Sequence, residues 1–176
     1  VPTVTPVPGE AGYLAAWFGS VQVEGSARDA VVVRRLDQTG SVELAQAAKI
    51  PLDPDRVPGM RIALGANASD VAVAWISGAA NRSGERIEIA SLDLSAVGVS
   101  DFQPVQVSPA DGDDTVRKSH LGDLCAGPEG VLVTYAETVL GNPSMRLVFR
   151  VLPLDGPMTD PIHPTQFDMD MAMPPR

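Results

Sequence analysis

The stretch GYLAAW (Gly12–Trp17) is short, apolar and ends in an aromatic residue, and it decides the fold. Two later stretches repeat it: DVAVAW, which ends at Trp75, and GVLVTY, which ends at Tyr135. The aromatic residues are 58 positions apart (17 to 75) and then 60 positions apart (75 to 135). Self-similarity at a fixed period of this length indicates a repeat architecture, in which each repeat is one small unit of secondary structure.

Each aromatic stretch belongs to a series of apolar runs that have the composition of strands. A run of alternating or β-branched residues follows at nearly the same offset, at Ala30–Asp37, Arg86–Asp93 and Arg146–Pro153. A weaker strand is predicted from Val42 and from Phe102, and a proline-rich segment from Pro157 takes its place in the last unit. A candidate first strand precedes each aromatic stretch across a turn, beginning at Thr3, Arg61 and His120.

Each unit therefore predicts four antiparallel strands, and the chain is predicted to be all-β. Four-stranded sheets repeated radially form a β-propeller, so we expect three blades at about residues 1–52, 53–112 and 113–162, with an extended arm at 163–176. Three blades do not close a ring, so another chain, another copy or further sequence is expected to complete it. The chain would then be a subunit or a processed piece of a larger protein. The alternative is a six- or eight-stranded sandwich in which the repeat is accidental.

The charge, the apolar runs and the cysteine count of the chain limit the partners that are expected. The chain has 22 acidic and 13 basic residues and a net charge of −9, so a phosphate backbone would be repelled and nucleic acid is not expected. No run of 18 or more apolar residues is present, so no membrane span is predicted. Cys125 is the single cysteine, which excludes an internal disulfide, and it is expected to be a buried, inert thiol.

The segment GYLAAWFGS, with VEGSARDAVVVRRLDQTG behind it, resembles the sialidase-like (BNR-repeat) β-propellers. It is also similar to bacterial secreted proteins whose repeats read like GYLVVW followed by a strand and a D-x-x-G turn. Asp37–Gly40 and Leu154–Gly156 are degenerate versions of the Asp-box turn, and the full S-x-D-x-G-x-x-W motif is absent. The resemblance implies a propeller fold and an extracytoplasmic setting, either secreted or periplasmic.

The longest polar loops of such a propeller are expected to share one face. They are predicted at Phe18–Asp29, Ile76–Glu85 and Ala136–Met145 within the blades, and at Leu52–Met60 and Asp111–Ser119 between them. Arginines that converge on one cavity can hold a carboxylate through paired hydrogen bonds. The candidate ligand-binding residues in or beside this face are Arg28, Asp29, Arg61, Arg82, Arg117 and His120.

Two further clusters are candidate metal sites. Asp111, Asp113 and Asp114 place closely spaced oxygen ligands beside a glycine, which suits calcium, although a solvated turn explains them too. Alternate thioethers at Met169, Met171 and Met173 suit Cu(I), and the competing explanation is an apolar stripe that packs on a neighbour.

These observations predict a binding or assembly module that recognises a protein or a carbohydrate. The alternative is part of a sialidase-like carbohydrate-active enzyme, which the resemblance implies would need an arginine cluster, a tyrosine nucleophile and a carboxylic acid. Tyr13 and Tyr135 lie in apolar strands and are interpreted as core residues. A second alternative is a protein that binds calcium or copper. No catalytic residue is predicted.

Overall fold

The computed structural model describes residues 2–41, 47–66, 70–79, 85–93, 98–99, 104–109, 116–128, 130–141, 145–153 and 157–163. These residues form strands and turns without a helix, which confirms the all-β prediction. Within them, therefore, there is no helix of the length and apolarity that crossing a membrane would take. The strands form three open sheets, an arrangement consistent with partial propeller blades.

Sheet 1 is built from the first repeat. Its antiparallel strands, in spatial order, are β1 (Thr3–Pro6), β2 (Tyr13–Val23), β3 (Ser26–Leu36) and β4 (Ala48–Pro51). The two-residue strand β8 (Gly98–Val99), which comes from the second repeat, adds to β4 in parallel. The first four strands follow chain order, as in a propeller blade.

Sheet 2 comes from the second repeat, and its strands are again antiparallel neighbours in chain order. They are β5 (Arg56–Ala66), β6 (Asp70–Ala79), β7 (Arg86–Asp93) and β9 (Val105–Ser108).

Sheet 3 has three strands, which are β10 (Val116–Gly127), β11 (Gly130–Val139) and β12 (Met145–Pro153). Where the fourth strand was expected, residues 157–163 make one antiparallel bridge, between Ile162 and Phe149. The prolines of this segment cannot donate ladder hydrogen bonds, which accounts for the reduced strand.

The three repeats have the same register at the aromatic residue. Trp17 is opposite Val32, Trp75 is opposite Glu88, and Tyr135 is opposite Val148. Four residues before each aromatic residue, the second strand is opposite a leucine, in the pairs Tyr13 with Leu36, Val71 with Leu92, and Val131 with Leu152. The sequence repeat is therefore also a repeat of strand pairing.

Sheet 2 lies between the other two sheets and is buried on both faces. Along β6, Val71, Val73 and Trp75 pack towards sheet 1, while Ala72 and Ala74 pack towards sheet 3. Fully burying a valine-sized side chain stabilises a fold by about 1.5–3 kcal/mol, so these two interfaces hold the sheets together. The first strands of the sheets are neighbours, with β1 beside β5 and β5 beside β10, as expected for blades that gather around an axis.

Glycine is required where the second strand begins in the first and third repeats. Gly12 has φ +136° and Gly130 has φ +148°, a region that residues with a side chain rarely adopt. A Cβ at Gly12 would lie 2.6 Å from the carbonyl oxygen of Leu36, and one at Gly130 would collide with the carbonyl oxygen of Leu152. The initial glycine of GYLAAW and GVLVTY is therefore set by contact with the neighbouring strand.

Within the described residues, the segments expected to be long loops are mostly strand, and residues 80–84, 111–115 and 142–144 of those loops lie outside them. β2 and β3 continue through Phe18–Asp29 and meet at a two-residue turn of Glu24 (φ 49°) and Gly25 (φ 80°). Positive φ at both positions is the signature of a type I′ hairpin turn. The prediction of a loop over Phe18–Asp29 was wrong because the ladder continues beyond the core, where most side chains are exposed and the apolar pattern fades.

Two burial predictions were also wrong. Cys125 is exposed because it pairs with Leu132 on the face of sheet 3 that points away from sheet 2. Tyr13 is 42% exposed because it begins β2 on the face of sheet 1 that points away from sheet 2. Tyr135 is a core residue, as predicted, at 1% exposed.

Candidate functional site

A cleft of about 500 Å³ lies at the end of sheets 1 and 2 where the β2–β3 hairpin turns. One wall is the hairpin, and the other is the connection from β4 into β5. The lining residues are Ser20, Ser26, Ala27, Arg28, Asp29, Leu52, Asp53, Pro54, Arg56 and Val57. The cleft is of a size typical of small-molecule sites, which occupy roughly 300–1,000 Å³.

Backbone hydrogen bonds fix the second wall of the cleft against the first. The Leu52 N–H donates to the Asp29 carbonyl oxygen at 2.8 Å, and the Leu52 side chain is buried in the core between sheets 1 and 2. Asp53 then starts a tight turn: its side-chain Oδ1 accepts from the Asp55 N–H at 3.0 Å, and its carbonyl accepts from the Arg56 N–H at 2.9 Å. Asp side chains favour such turns because they replace a missing backbone partner. The cleft is thus held by the sheet scaffold.

Residues of both charges line this cleft. Arg28 and Arg56 are half-buried, whereas Asp29 and Asp53 are exposed. Burial lowers the pKa of the Arg56 guanidinium below its usual range, and the nearby charge of Arg86 lowers it further. An arginine stays protonated despite such a shift, so two cationic and two anionic residues line the cleft.

A polar cluster lies behind Arg56, in the space between sheets 1 and 2. Glu88 accepts hydrogen bonds at Oε2 from Trp75 Nε1 (3.1 Å) and from Ser77 Oγ (2.5 Å). Trp75 and Ser77 are fully buried. Arg56 reaches the same place, since its Nη1 lies 3.5 Å from the Ser77 carbonyl oxygen. Glu88 therefore satisfies the buried donors of Trp75 and Ser77.

A similar polar cluster occupies the equivalent end of the space between sheets 2 and 3. Glu137, two residues after the aromatic residue of its repeat, is 2% exposed. Its Oε1 accepts from Ser108 Oγ at 2.5 Å, and its Oε2 accepts from Arg146 Nε at 2.7 Å. Ser108 Oγ lies 2.6 Å from Ser119 Oγ. This cluster joins β9 of sheet 2 to three strands of sheet 3, and its burial marks it as a structural joint.

The structure brings together two of the candidate ligand-binding residues, Arg28 and Asp29, which are neighbours at the start of β3 and line the cleft. Arg61 is exposed on β5 and is not part of the cleft lining. His120 is half-buried in β10, opposite Ala136 on the outward face of sheet 3. Arg117 lies in β10, and its side chain is outside the described part.

The remaining predicted site residues lie outside the described residues: Arg82, Asp111, Asp113, Asp114, Met169, Met171 and Met173. Calcium and copper binding at those positions therefore stay predictions. In the part of the chain that is described, no group of three or more His, Cys, Asp or Glu side chains is placed to hold a metal ion.

The half-buried Glu88 and the buried Glu137 are polar residues that sequence reasoning missed. Glu88 interrupts the apolar strand RIEIASLD, and Glu137 interrupts GVLVTYAETV on the face that carries Val133 and Tyr135. A charged residue on an otherwise buried strand face is a usable signal, because it must find partners inside the protein. Those partners, Ser77 and Ser108, come from other strands and carry no signal of their own.

Known proteins do not extend this description. No protein-family model matches the chain, and neither a curated protein nor a solved structure matches it. The likeness of the GYLAAW repeat to sialidase-like propellers therefore stays a resemblance of sequence pattern, and the cleft is interpreted from its own residues.

Proposed function

We propose that this chain is a binding and assembly module of the β-propeller kind, and that it recognises its ligand in the cleft at Arg28, Asp29, Asp53 and Arg56. The observation that supports this proposal is that two arginines and two aspartates are among the residues lining one cleft, which is held by a rigid scaffold. An extracytoplasmic setting is part of the proposal and rests on the resemblance of the repeat.

The side chains of the cleft suit a carbohydrate that carries a carboxylate. A guanidinium recognises a carboxylate through two parallel hydrogen bonds. The exposed carboxylates of Asp29 and Asp53 accept hydrogen bonds from hydroxyl groups. A ligand with one acidic group and several hydroxyls would use both kinds of group at once, whereas a neutral sugar would use only the aspartates.

The test is a titration followed by amide chemical shifts in ¹H–¹⁵N NMR spectra, with galacturonate, N-acetylneuraminate, galactose and a glutamate-containing tripeptide as probes. We expect an acidic sugar to move the amides of Ala27–Asp29 and Leu52–Val57, and galactose to move them less. Arg28→Ala should weaken binding by roughly tenfold or more, the loss of about one charged hydrogen bond. Arg61→Ala, which removes an exposed arginine outside the cleft lining, is the matched control.

The proposal fails if none of the probes moves the cleft amides, or if Arg61→Ala weakens binding as much as Arg28→Ala. Binding of the tripeptide alone would support a protein ligand in place of a carbohydrate.

A second candidate function, a sialidase-like hydrolase, draws on the same pairing of arginines with carboxylates. Tyr135 is a poor nucleophile for it, because burial raises the pKa of its phenol and its hydroxyl donates to the Val107 carbonyl oxygen. Hydrolysis of a fluorogenic N-acetylneuraminate substrate that is lost in Asp29→Asn would favour the enzyme. Binding without turnover would favour the recognition module.

The assembly half of the proposal is that a further chain or copy completes the ring. It is supported by the open outer faces of sheets 1 and 3, which carry exposed apolar side chains such as Tyr13 and Leu147. Exposed apolar surface of this kind is a common mark of a protein interface.

A further inference from the structure

The aromatic residue of each repeat shows which way its sheet faces. Trp75 lies in the core shared with sheet 1, and Tyr135 lies in the core shared with sheet 2. Each therefore packs against the sheet that precedes it in the chain. The opposite face of sheet 2, which carries Ile87 and Ile89, packs against the sheet that follows. Successive sheets thus stack head to tail, with two different faces in contact.

The same rule identifies an incomplete face on sheet 1. Trp17 occupies the position of Trp75 and Tyr135, yet it is only half-buried, whereas they are 0% and 1% exposed. Tyr13 and Val4, which share its face, are 42% and 57% exposed. On this face Arg34 Nε is buried and has no hydrogen-bond partner among the described residues. This face has the composition of one that packs against a preceding sheet.

The complementary face is on sheet 3, on the side away from sheet 2. Along β11 the residues alternate between buried and half-buried, so only one side of this sheet is fully covered. The outward residues of β12 include the half-buried Phe149, Leu147 at 48% exposed and Met145 at 62% exposed. In sheets 1 and 2 the equivalent face packs against the following sheet.

We propose that a second copy of this chain covers both faces, with the Trp17 face of one copy on the Phe149 face of the other. This names the partner in the assembly half of the proposed function and rests on it. A second copy is the occupant that these faces favour, because one chain carries both halves of the same head-to-tail contact. A two-fold axis then makes two identical contacts, and the closed ring has six sheets, within the usual range of about four to eight.

The first measurement is the mass in solution, by light scattering and sedimentation over a range of concentrations. We expect about 37 kDa, twice the chain mass of 18.4 kDa. Tyr13→Asp and Leu147→Asp each place a charge in both contacts of the ring and should raise the dimer Kd by about a hundredfold or more. Both residues are well exposed in the single chain, so folding should be retained, as circular dichroism would show. Met60→Asp, at a residue 88% exposed and outside both faces, is the control.

Mixing the two variants separates this geometry from other dimers. A Tyr13→Asp chain keeps its Phe149 face intact, and a Leu147→Asp chain keeps its Trp17 face intact. In the mixed dimer these two faces meet, so one of the two contacts carries no substitution. We therefore expect the mixture to associate more strongly than either variant alone. A contact between two copies of the same face would respond to one substitution only and would gain nothing from mixing.

A monomer at every concentration overturns the proposal and leaves a different chain as the partner. A mass of three or more copies, a dimer unaffected by Leu147→Asp, or a mixture no stronger than its components overturns it as well. The cleft lies within one chain, so sugar binding by monomeric Leu147→Asp would show that the recognition proposal stands when this one fails.

Discussion

Replacement of Glu137 by glutamine should be among the most destabilising conservative changes in this chain. The carboxylate is 2% exposed and joins Ser108, on sheet 2, to Arg146, on sheet 3. Glutamine keeps the size and one acceptor oxygen for the guanidinium, while its amide NH₂ faces the serine hydroxyl, which must then accept instead of donate. The change therefore removes the negative charge opposite Arg146 and reverses the hydrogen bond to Ser108 at the joint between the two sheets.

The magnitude follows from the environment of each partner. A hydrogen bond to a charged group contributes about 1.5–3 kcal/mol, and breaking a buried ion pair costs about 3–5 kcal/mol. The Arg146 side chain is 34% exposed, so water partly replaces the lost carboxylate. We expect Glu137→Gln to lower the free energy of unfolding by about 2–3 kcal/mol at pH 7.

The assay is urea unfolding followed by circular dichroism and tryptophan fluorescence, with Glu24→Gln in the exposed hairpin turn as the control. A double-mutant cycle with Arg146→Met should give a coupling of about 1 kcal/mol or more for contacting residues. A loss below about 0.5 kcal/mol, the range of ordinary surface changes, would refute the view that this carboxylate joins the sheets.

Two predictions concern pH. The Thr39 hydroxyl, followed by the backbone N–H groups of Ser41, Thr39 and Gly40, holds the pKa of Asp37 below its usual 3.8. The contribution of Asp37 to the free energy of unfolding is therefore present above pH 3.8 and is lost as the pH falls through the lower folded pKa. A ¹³C titration of the Asp37 carboxyl should show a midpoint below 3.8. A midpoint at or above 3.8 would contradict the hydrogen bonds of this turn. Burial raises the pKa of Tyr135, so the contribution of Tyr135 to the free energy of unfolding is complete below pH 10 and is lost as the pH rises above 10. Tyr135→Phe should flatten the decline in the free energy of unfolding above pH 10, and an unchanged alkaline slope would show that another group causes it.

The fold could be predicted from the sequence to the extent that one pattern was repeated three times. Trp17, Trp75 and Tyr135 have the same pairing register because the same spacing of apolar residues builds each hairpin. Hairpin length was not predictable, because β2 and β3 extend past the core to the Glu24–Gly25 turn, where hydrogen bonding between strands continues although most side chains are exposed. Likewise, the exposure of Tyr13 depends on which side of its sheet has a neighbour.

The candidate site was predictable only in part. Arg28 and Asp29 could be chosen because they are polar residues near a hairpin end, and both line the cleft. The far wall was predicted only as the segment Leu52–Met60 on the same face, whereas its contact with the hairpin depends on the backbone bond from Leu52 to Asp29. Local sequence describes strands well, whereas a cleft between two sheets depends on how the sheets stack.

The pairing of β8 with β4 also has a mechanical consequence. The chain leaves sheet 2 after β7, attaches Gly98 and Val99 to the outer strand of sheet 1, and returns to sheet 2 as β9. This crossing segment links the outer strands of sheets 1 and 2, because the two sheets cannot separate there unless the backbone hydrogen bonds of β8 break. The outer edges of sheets 1 and 2 are thereby held together, and the two sheets are expected to move as one unit.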